Sequence, residues 1–332
     1  MRVVEYSDPT VFDELADEWD SLLDPARSDV FFLQNWWQRI WWQHLHVGQL
    51  AVFAIYDDDE SLVCIASLFL KDGAFHFVGC IDVVDYLDMV CKPSHEEAAY
   101  RALIEHLCTD TRLTWNRLDL CNIPEDSPTF ALLPQIAEEM GLRAETRVQE
   151  VCPVITLPES YDAYLATLDN KQSRELKRKR KRVNGPYDVD WYRVDGSHDI
   201  AEATRIFLDL MASSAPEKAA FLELRGHREF MQAVIEAGHA HDQLDLLVLT
   251  IDGTPTAAML QFDYKDRVLL YNSGLNMQQF AALSPGILLL TFSVEDAIER
   301  GFVHYDFLRG DEEYKFKMGA HATHVHQVVI SA

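Results

Sequence analysis

The sequence predicts a mixed α/β (α+β) protein made of two tandem copies of one unit, each a mostly antiparallel sheet flanked by helices. Two observations carry this. In each half of the 332 residues, three strand-like runs joined by short turn signals are followed by a helix and a returning strand, and helices precede both sets. Hydrophobic residues make up 48% of the chain, enough for two ordinary domains to bury separate cores, and this excludes a disordered protein.

The first half is expected to span residues 1–150. A helix runs from Phe31 to His44, then a strand from Leu50 to Tyr56. Asp57-Asp58-Asp59-Glu60 turns the chain, and strands follow at Leu62–Leu70 and Phe75–Val78. A helix from Glu96 to Cys108 and a strand from Leu118 to Cys121 complete the copy. The join lies near Glu145 to Leu157, where Pro153 and Pro158 punctuate an apolar strand.

The second half, 151–332, repeats the order. Helices at Ala201–Ser213 and Arg228–Ala237 precede a strand at Leu244–Ile251. Asp252-Gly253 is a hairpin turn signal, Thr256–Tyr264 a second strand, Lys265-Asp266 a second turn and Val268–Ser273 a third strand. A helix from Gly286 to Arg300 closes on Gly301 in the C-cap position, and a strand follows from Phe302 to Leu308.

Several classes are excluded. No basic stretch leads into an apolar run near the N-terminus, and no window reaches 18 apolar residues, so neither a signal peptide nor a membrane span is expected. With six scattered cysteines and no Cys-x-x-Cys pair, the expectation is a cytoplasmic protein with reduced, mostly buried thiols. His321, His324 and His326 have no accompanying acidic or cysteine ligand, so no metal is expected. A dinucleotide fingerprint and a P-loop are also missing.

The net charge of −25 repels nucleic acid and anionic lipid at long range. Against it stands one segment, Lys171 to Arg182, in which eight of twelve residues are Lys or Arg and only Glu175 opposes them. It has two readings. One is a solvated helix balanced by the acidic bulk; the other is a contact for a phosphorylated substrate, a nucleotide-sugar, tRNA or an anionic membrane face.

The run Leu283-Ser284-Pro285-Gly286-Ile287-Leu288-Leu289, then Ala297 to Gly301, Tyr305 to Glu312 and Tyr314-Lys315, resembles the CelD/BcsL-type (BioF2-like) acetyltransferases of the GNAT superfamily. Cys152 to Ile155 with Leu157-Pro158, Asp85 to Asp88 and the tryptophan-rich stretch from Gln34 to Trp42 are similar to that family too. FemABX-type aminoacyl-tRNA-dependent peptidyltransferases are wider relatives with the same paired layout. The resemblance implies two GNAT-like domains, with acetyl-CoA or another acyl-CoA as co-substrate.

The donor needs a place for its diphosphate, and a helix N-terminus offers unpaired amides at the positive end of a dipole. Gly286, after Ser284 and Pro285 and before Ile287 and Leu288, is the expected place; the competing reading is an ordinary Ser-Pro-Gly helix start. The usual Arg/Gln-x-x-Gly-x-Gly/Ala signature is degraded: the other positions hold Ala281 and Ser284, so no arginine grips the phosphates. By the same resemblance Tyr271, Asn272, Ser273 and Gly274 line one side of the donor cleft and Tyr305 to Leu308 the other.

Transfer to an amine needs a proton acceptor, oxyanion stabilisation and a proton for the leaving thiolate. Tyr314 is the expected acid, and Asp306 is expected to orient or deprotonate the amine. The competing readings are a packing tyrosine and a structural pairing of Asp306 with Arg309 or Lys315. Arg309, Lys315, Asp85, Tyr86 and Asp88 are expected at the acceptor. No glycine precedes the helix of the first copy, only Lys92-Pro93-Ser94, so that copy is expected to have lost donor binding.

The expected function is acyl-CoA-dependent N-acyl transfer to a small or saccharide-linked amine. The alternatives are aminoacyl-tRNA-dependent peptidyl or aminoacyl transfer, and a non-catalytic ligand- or partner-binding protein.

Overall fold

The computed structural model describes residues 1–80, 83–109, 114–181, 185–276 and 280–331. These fall into two compact units, Met1–Val151 with Thr323–Ala332, and Cys152–Ala322.

The first unit opens with β1 (Arg2–Tyr6), α1 (Val11–Glu14), α2 (Ala16–Leu23) and α3 (Asn35–Leu45). The meander β2 (Gln49–Tyr56), β3 (Leu62–Lys71) and β4 (Ala74–Phe77) follows, with a short β5 (Val90–Cys91) paired to β3. Then come α4 (Glu96–Thr109), β6 (Arg117–Pro124), α5 (Pro128–Glu139) and β7 (Arg143–Thr156), along which the chain leaves this unit. The tryptophan-rich α3 is a packing element: Trp37 and Trp41 are wholly buried beside Trp19, Phe31 and Phe32.

The second unit holds α6 (Tyr161–Thr167), α7 (Asn170–Lys181), β8 (Val189–Arg193), α8 (Ile200–Ser214), α9 (Pro216–Glu223) and α10 (His227–Ala240). Its meander is β9 (Leu244–Ile251), β10 (Thr254–Tyr264) and β11 (Arg267–Leu275). Asp252 and Gly253, both at positive φ, make the first hairpin, Asp tolerating that region and Gly entering it freely for want of a Cβ. Then follow α11 (Pro285–Glu299), β12 (His304–Asp306), α12 (Glu313–Lys317) and β13 (His321–Ser331).

Both units share one topology. The third meander strand pairs in parallel with the strand after the helix, β4 with β6 and β11 with β12. A serine in the left-handed region precedes both helices, Ser94 before α4 and Ser284 before α11. Such a repeat of backbone conformation is the physical trace of the repeated sequence order.

The last strand differs from the expected division at residue 150. From Thr323 onward β13 belongs to the first unit, where it pairs antiparallel with β6. In the second unit β12 is flanked instead by the end of β7, through Val154 to Thr156. Each sheet is thus completed by a strand far away in sequence, and no local pattern announces that.

The cysteines correct the expectation of six reduced thiols. Cys64 and Cys91 are direct cross-strand partners on β3 and β5 and are joined as a disulfide, and Cys80 is joined to Cys121. Cys108 and Cys152 take no part in these disulfides. Separations of 27 and 41 residues hide these pairs in the sequence. Among the described residues no helix is long and apolar enough to cross a membrane.

The core of the second unit gathers Leu247 and Leu249 of β9, Met259 of β10, Val268 of β11, Leu289 and Val294 of α11, and Tyr305 and Phe307. A charged cluster lies beside it: Arg193 and Arg300 both bond Asp245, which is 1% exposed, and both meet Asp296. Arg300 also pairs with Asp263. Burial of such carboxylates is tolerable only with cations this close.

In the first unit Asp88 is 2% exposed. It accepts from the Met89 N–H at 2.8 Å and the Ser127 hydroxyl at 2.5 Å. Burial pushes its carboxyl up from 3.8 to about 7. The unfolded chain therefore ionises first. Stability from the protonated carboxyl is complete below pH 3.8 and is lost as the pH rises through about 7. Asp88→Asn, which keeps an acceptor oxygen, is expected to flatten the pH dependence of Tm across that window. An unchanged slope would contradict this account.

Candidate active site

The site begins where a strand pair ends. β11 and β12 run in parallel register only from Arg267↔His304 to Leu269↔Asp306. Next to that end the β10–β11 register shifts: Leu260 faces Asn272 while Gln261 faces Leu270, so Tyr271 is an extra residue. β11 then continues to Leu275 beyond the last β12 partner.

The start of α11 faces this stretch. Ser284, at φ +53° and ψ +59°, precedes Pro285, which fixes the first helical position. The N–H groups of Gly286 and Ile287 have no hydrogen-bond partner among the described residues. A Cβ on Gly286 would lie 2.8 Å from Leu275 Cδ2, so the helix start packs closely on β11 and a larger residue there must displace the end of the Leu275 side chain.

A cavity of about 310 Å³ opens between these elements. Ser273, Ser284, Gly286 and Ile287 edge it, Met259, Leu270 and Leu290 form apolar wall, and Tyr314 of α12 reaches it from beyond β12. An apolar slot with unpaired amides at a helix start fits a ligand with an anionic head and a long uncharged arm.

Comparison with known proteins places this geometry. Residues 170–316, which contain the whole site, match the acetyltransferase (GNAT) domain family. The match lies within the second unit. No curated protein sequence matches the chain significantly. Among solved structures, FemX overlays with a TM-score of 0.68 at 12% identity, over 99% of this chain and 97% of its own. The C-terminal domain of a putative lysylphosphatidylglycerol synthetase from Agrobacterium fabrum gives 0.60 at 9% identity, over 97% and 92%. A tandem GNAT protein from the clavulanic acid biosynthesis pathway gives 0.50 at 9% identity, over 100% and 99%. At such identities the likeness is one of fold, and it embraces both units.

Within the matched residues, those expected at the donor separate into two groups. Ser273, Ser284, Pro285, Gly286 and Ile287 line the cavity. The others support it. Tyr271 is the bulge residue, its ring 5.8 Å from that of Phe262. Asn272 accepts from Lys218 Nζ at 2.9 Å, and Leu288 is buried with its N–H on the Ser284 carbonyl at 3.0 Å. Gly274 is packed against α8, where a Cβ would stand 2.4 Å from the Met211 nitrogen. Ser284 makes no side-chain cap; its hydroxyl accepts from Lys179 Nζ at 2.7 Å.

Tyr314 is half-buried at the cavity, its ring edge-on to Phe307 at 6.1 Å. Burial, then the nearby Glu312, pushes its phenol up to about 12. Asp306 sits elsewhere. It is 1% exposed and accepts from the Leu308 N–H at 2.8 Å, holding a turn in which Leu308 has φ +56°. Its nearby cation is Arg267, at 3.8 Å. The far wall expected from Tyr305 to Leu308 is supplied by Tyr314, because Tyr305 is wholly buried and bonds Ser293 at 2.9 Å.

None of the expected acceptor residues is among those that line the cavity. Lys315 is buried, donating to the Arg309 and Gly310 carbonyls at 2.8 and 3.1 Å and pairing with Glu312 at 2.9 Å. It therefore caps the loop after β12. In the first unit Asp85 is half-buried and the Tyr86 ring packs 6.3 Å from Phe32. The oxygens of Asp88 are both engaged. Arg182 and Val183, at the end of the basic segment, fall outside the described residues, and so does the side chain of Ala281.

Lys218 escaped the sequence reading, and Lys179 entered it only as one of the cations of the basic segment. Lys218 of α9 bonds the Asn272 side chain and the Ser273 carbonyl, the latter at 2.6 Å, and burial lowers its pKa. Lys179 reaches Ser284 from α7, 105 residues upstream. A single lysine in α9, or one cation among the eight of the basic segment, carries no signal of its own contact.

The glycines give a direct test. Gly274→Ala drives a Cβ into the backbone of α8 and is expected to cost about 2 kcal/mol or more of stability. Gly286→Ala meets only the movable end of Leu275 and should cost about 1 kcal/mol or less. Equal losses in urea denaturation would contradict this packing.

Proposed function

We propose that this protein is an acyl-CoA-dependent N-acyltransferase with its donor site in the second unit and a small or saccharide-linked amine as acceptor. One observation carries the proposal: the unpaired Gly286 and Ile287 amides open onto a cavity that starts where the β11–β12 ladder stops. In this reading the amides and the helix dipole hold the donor's diphosphate, and Met259, Leu270, Leu275 and Leu290 hold its arm. The donor supplies an activated acyl thioester.

The chemistry needs little more from the chain. The amine nitrogen bonds to the acyl carbon as the carbon–sulfur bond breaks. Tyr314, still protonated at neutral pH, gives its phenolic proton to the departing sulfur, and the proton lost by the amine restores it through solvent. Asp306 contributes as a positioning residue, by fixing the turn through Leu308 that leads to Tyr314.

The first unit is assigned no donor site. Its equivalent helix, α4, begins with Glu96 and Glu97, and Glu96 is 3% exposed beside Arg27 at 2.7 Å. A carboxylate in that first turn already satisfies the dipole and repels phosphate. A cytoplasmic location suits a CoA-dependent enzyme; there the pairs Cys64/Cys91 and Cys80/Cys121 would meet a reducing environment.

Aminoacyl transfer from tRNA is the second reading, favoured by the cations Lys171, Arg174, Lys177 and Lys181 exposed on α7. Thermal-shift titration separates the two. Stabilisation by acyl-CoA or CoA at millimolar concentration supports the first, whereas salt-sensitive tRNA binding without it supports the second. Neither response would leave a non-catalytic binding protein. For the enzyme, Tyr314→Phe is expected to lower kcat about 100-fold with CoA affinity unchanged. Normal turnover would remove Tyr314 from the acid role.

A further inference from the structure

We propose that Lys179 is the cation of the donor's phosphate site, replacing from α7 the arginine that the turn before α11 lacks. This rests on the donor reading above and adds to it a specificity residue and a ligand class, the diphosphate ester.

The turn itself supplies only neutral groups. Residues 280–287 read Phe-Ala-Ala-Leu-Ser-Pro-Gly-Ile, with amides and one hydroxyl to offer and no charged side chain. A diphosphate diester carries about two negative charges, more than the roughly half charge of a helix N-terminus offsets. Lys179 Nζ stands at this place, 2.7 Å from the Ser284 hydroxyl that edges the cavity.

Lys179 lies in the last turn of α7, where a cation is favoured, but its ammonium also meets the start of α11, where it is not. Cations stabilise the C-terminal end of a helix and are disfavoured at the positive N-terminal end. Yet the Lys179 side chain is only 13% exposed and its ammonium adjoins the start of α11. Glu175 answers it weakly: it lies 3.5 Å away and also pairs with Arg178 at 2.6 Å. An ammonium has three donors, and Lys179 uses two on Ser284 and Glu175. A desolvated cation at the positive pole of a helix is explained by an anion that binds between them.

The neighbouring residues fix it there. Leu176, 3% exposed, anchors α7 in the core. Arg180 pairs with Glu295 at 2.5 Å and stacks over the rings of Tyr161 and Phe292 at 4.7 and 5.3 Å. Lys179 is held between these contacts and the helix start, so α7 is a built wall of the site as well as a solvated charged helix.

The experiment measures dissociation constants for CoA and for pantetheine, which lacks the phosphates. Lys179→Gln is expected to weaken CoA about 10- to 100-fold, the worth of a charge-assisted contact, and to leave pantetheine unchanged. Lys179→Arg should retain most of the affinity. Lys177→Gln removes the same charge from the exposed side of α7 and should change CoA binding no more than about twofold. Glu175→Gln, which frees Lys179 of its carboxylate, should tighten CoA and keeps the test open if Lys179→Gln does not fold. Equal CoA affinity in Lys179→Gln, or an equal loss from Lys177→Gln, overturns the proposal and leaves the donor reading intact. A wild-type protein that binds neither CoA nor pantetheine overturns the donor reading, and this proposal with it.

Discussion

The site depends on a ladder that stops. Three residue pairs hold β11 to β12; β12 ends at Asp306, while β11 runs on to Leu275. Backbone groups in a sheet normally satisfy one another, so a sheet that opens must give its edges another use. Here the opening is kept by specific devices. The Tyr271 bulge bends β11, Asp306 takes the Leu308 amide into a left-handed turn, and Gly286 lets α11 approach Leu275.

Charge is arranged around that opening with opposite aims. Deep in the second unit, Arg193 and Arg300 meet Asp245, Asp263 and Asp296, and the ions neutralise each other. Lys315 is likewise spent inside the loop it caps. At the mouth the sign of the logic reverses, because Lys179 adds positive charge to an end of α11 that is already positive. The first group stabilises the fold; the second makes sense as preparation for an anion.

Much of the fold was legible in the sequence because its signals are local. Asp252-Gly253 announces a hairpin, Gly301 closes α11 with its N–H on the Ile298 carbonyl, and the repeated order of elements reveals two copies. Ser284-Pro285-Gly286 marked the helix start for the same reason. What escaped is non-local. The return of β13 to β6, the disulfide partners of Cys64 and Cys80, and the reach of Lys179 and Lys218 to the site are set by packing. Asp88 and Lys315 misled in the opposite direction: charged residues beside a motif read as ligands, whereas both are buried and engaged with the protein itself.

The central claim concerns two peptide nitrogens. Amide proton and nitrogen chemical shifts of Gly286 and Ile287, followed during titration with CoA, test it most directly. The account predicts that both move strongly and saturate together, as N–H groups do when they acquire an anionic acceptor. Saturable CoA binding with these two amides unmoved, and the changes centred elsewhere in the chain, would contradict it.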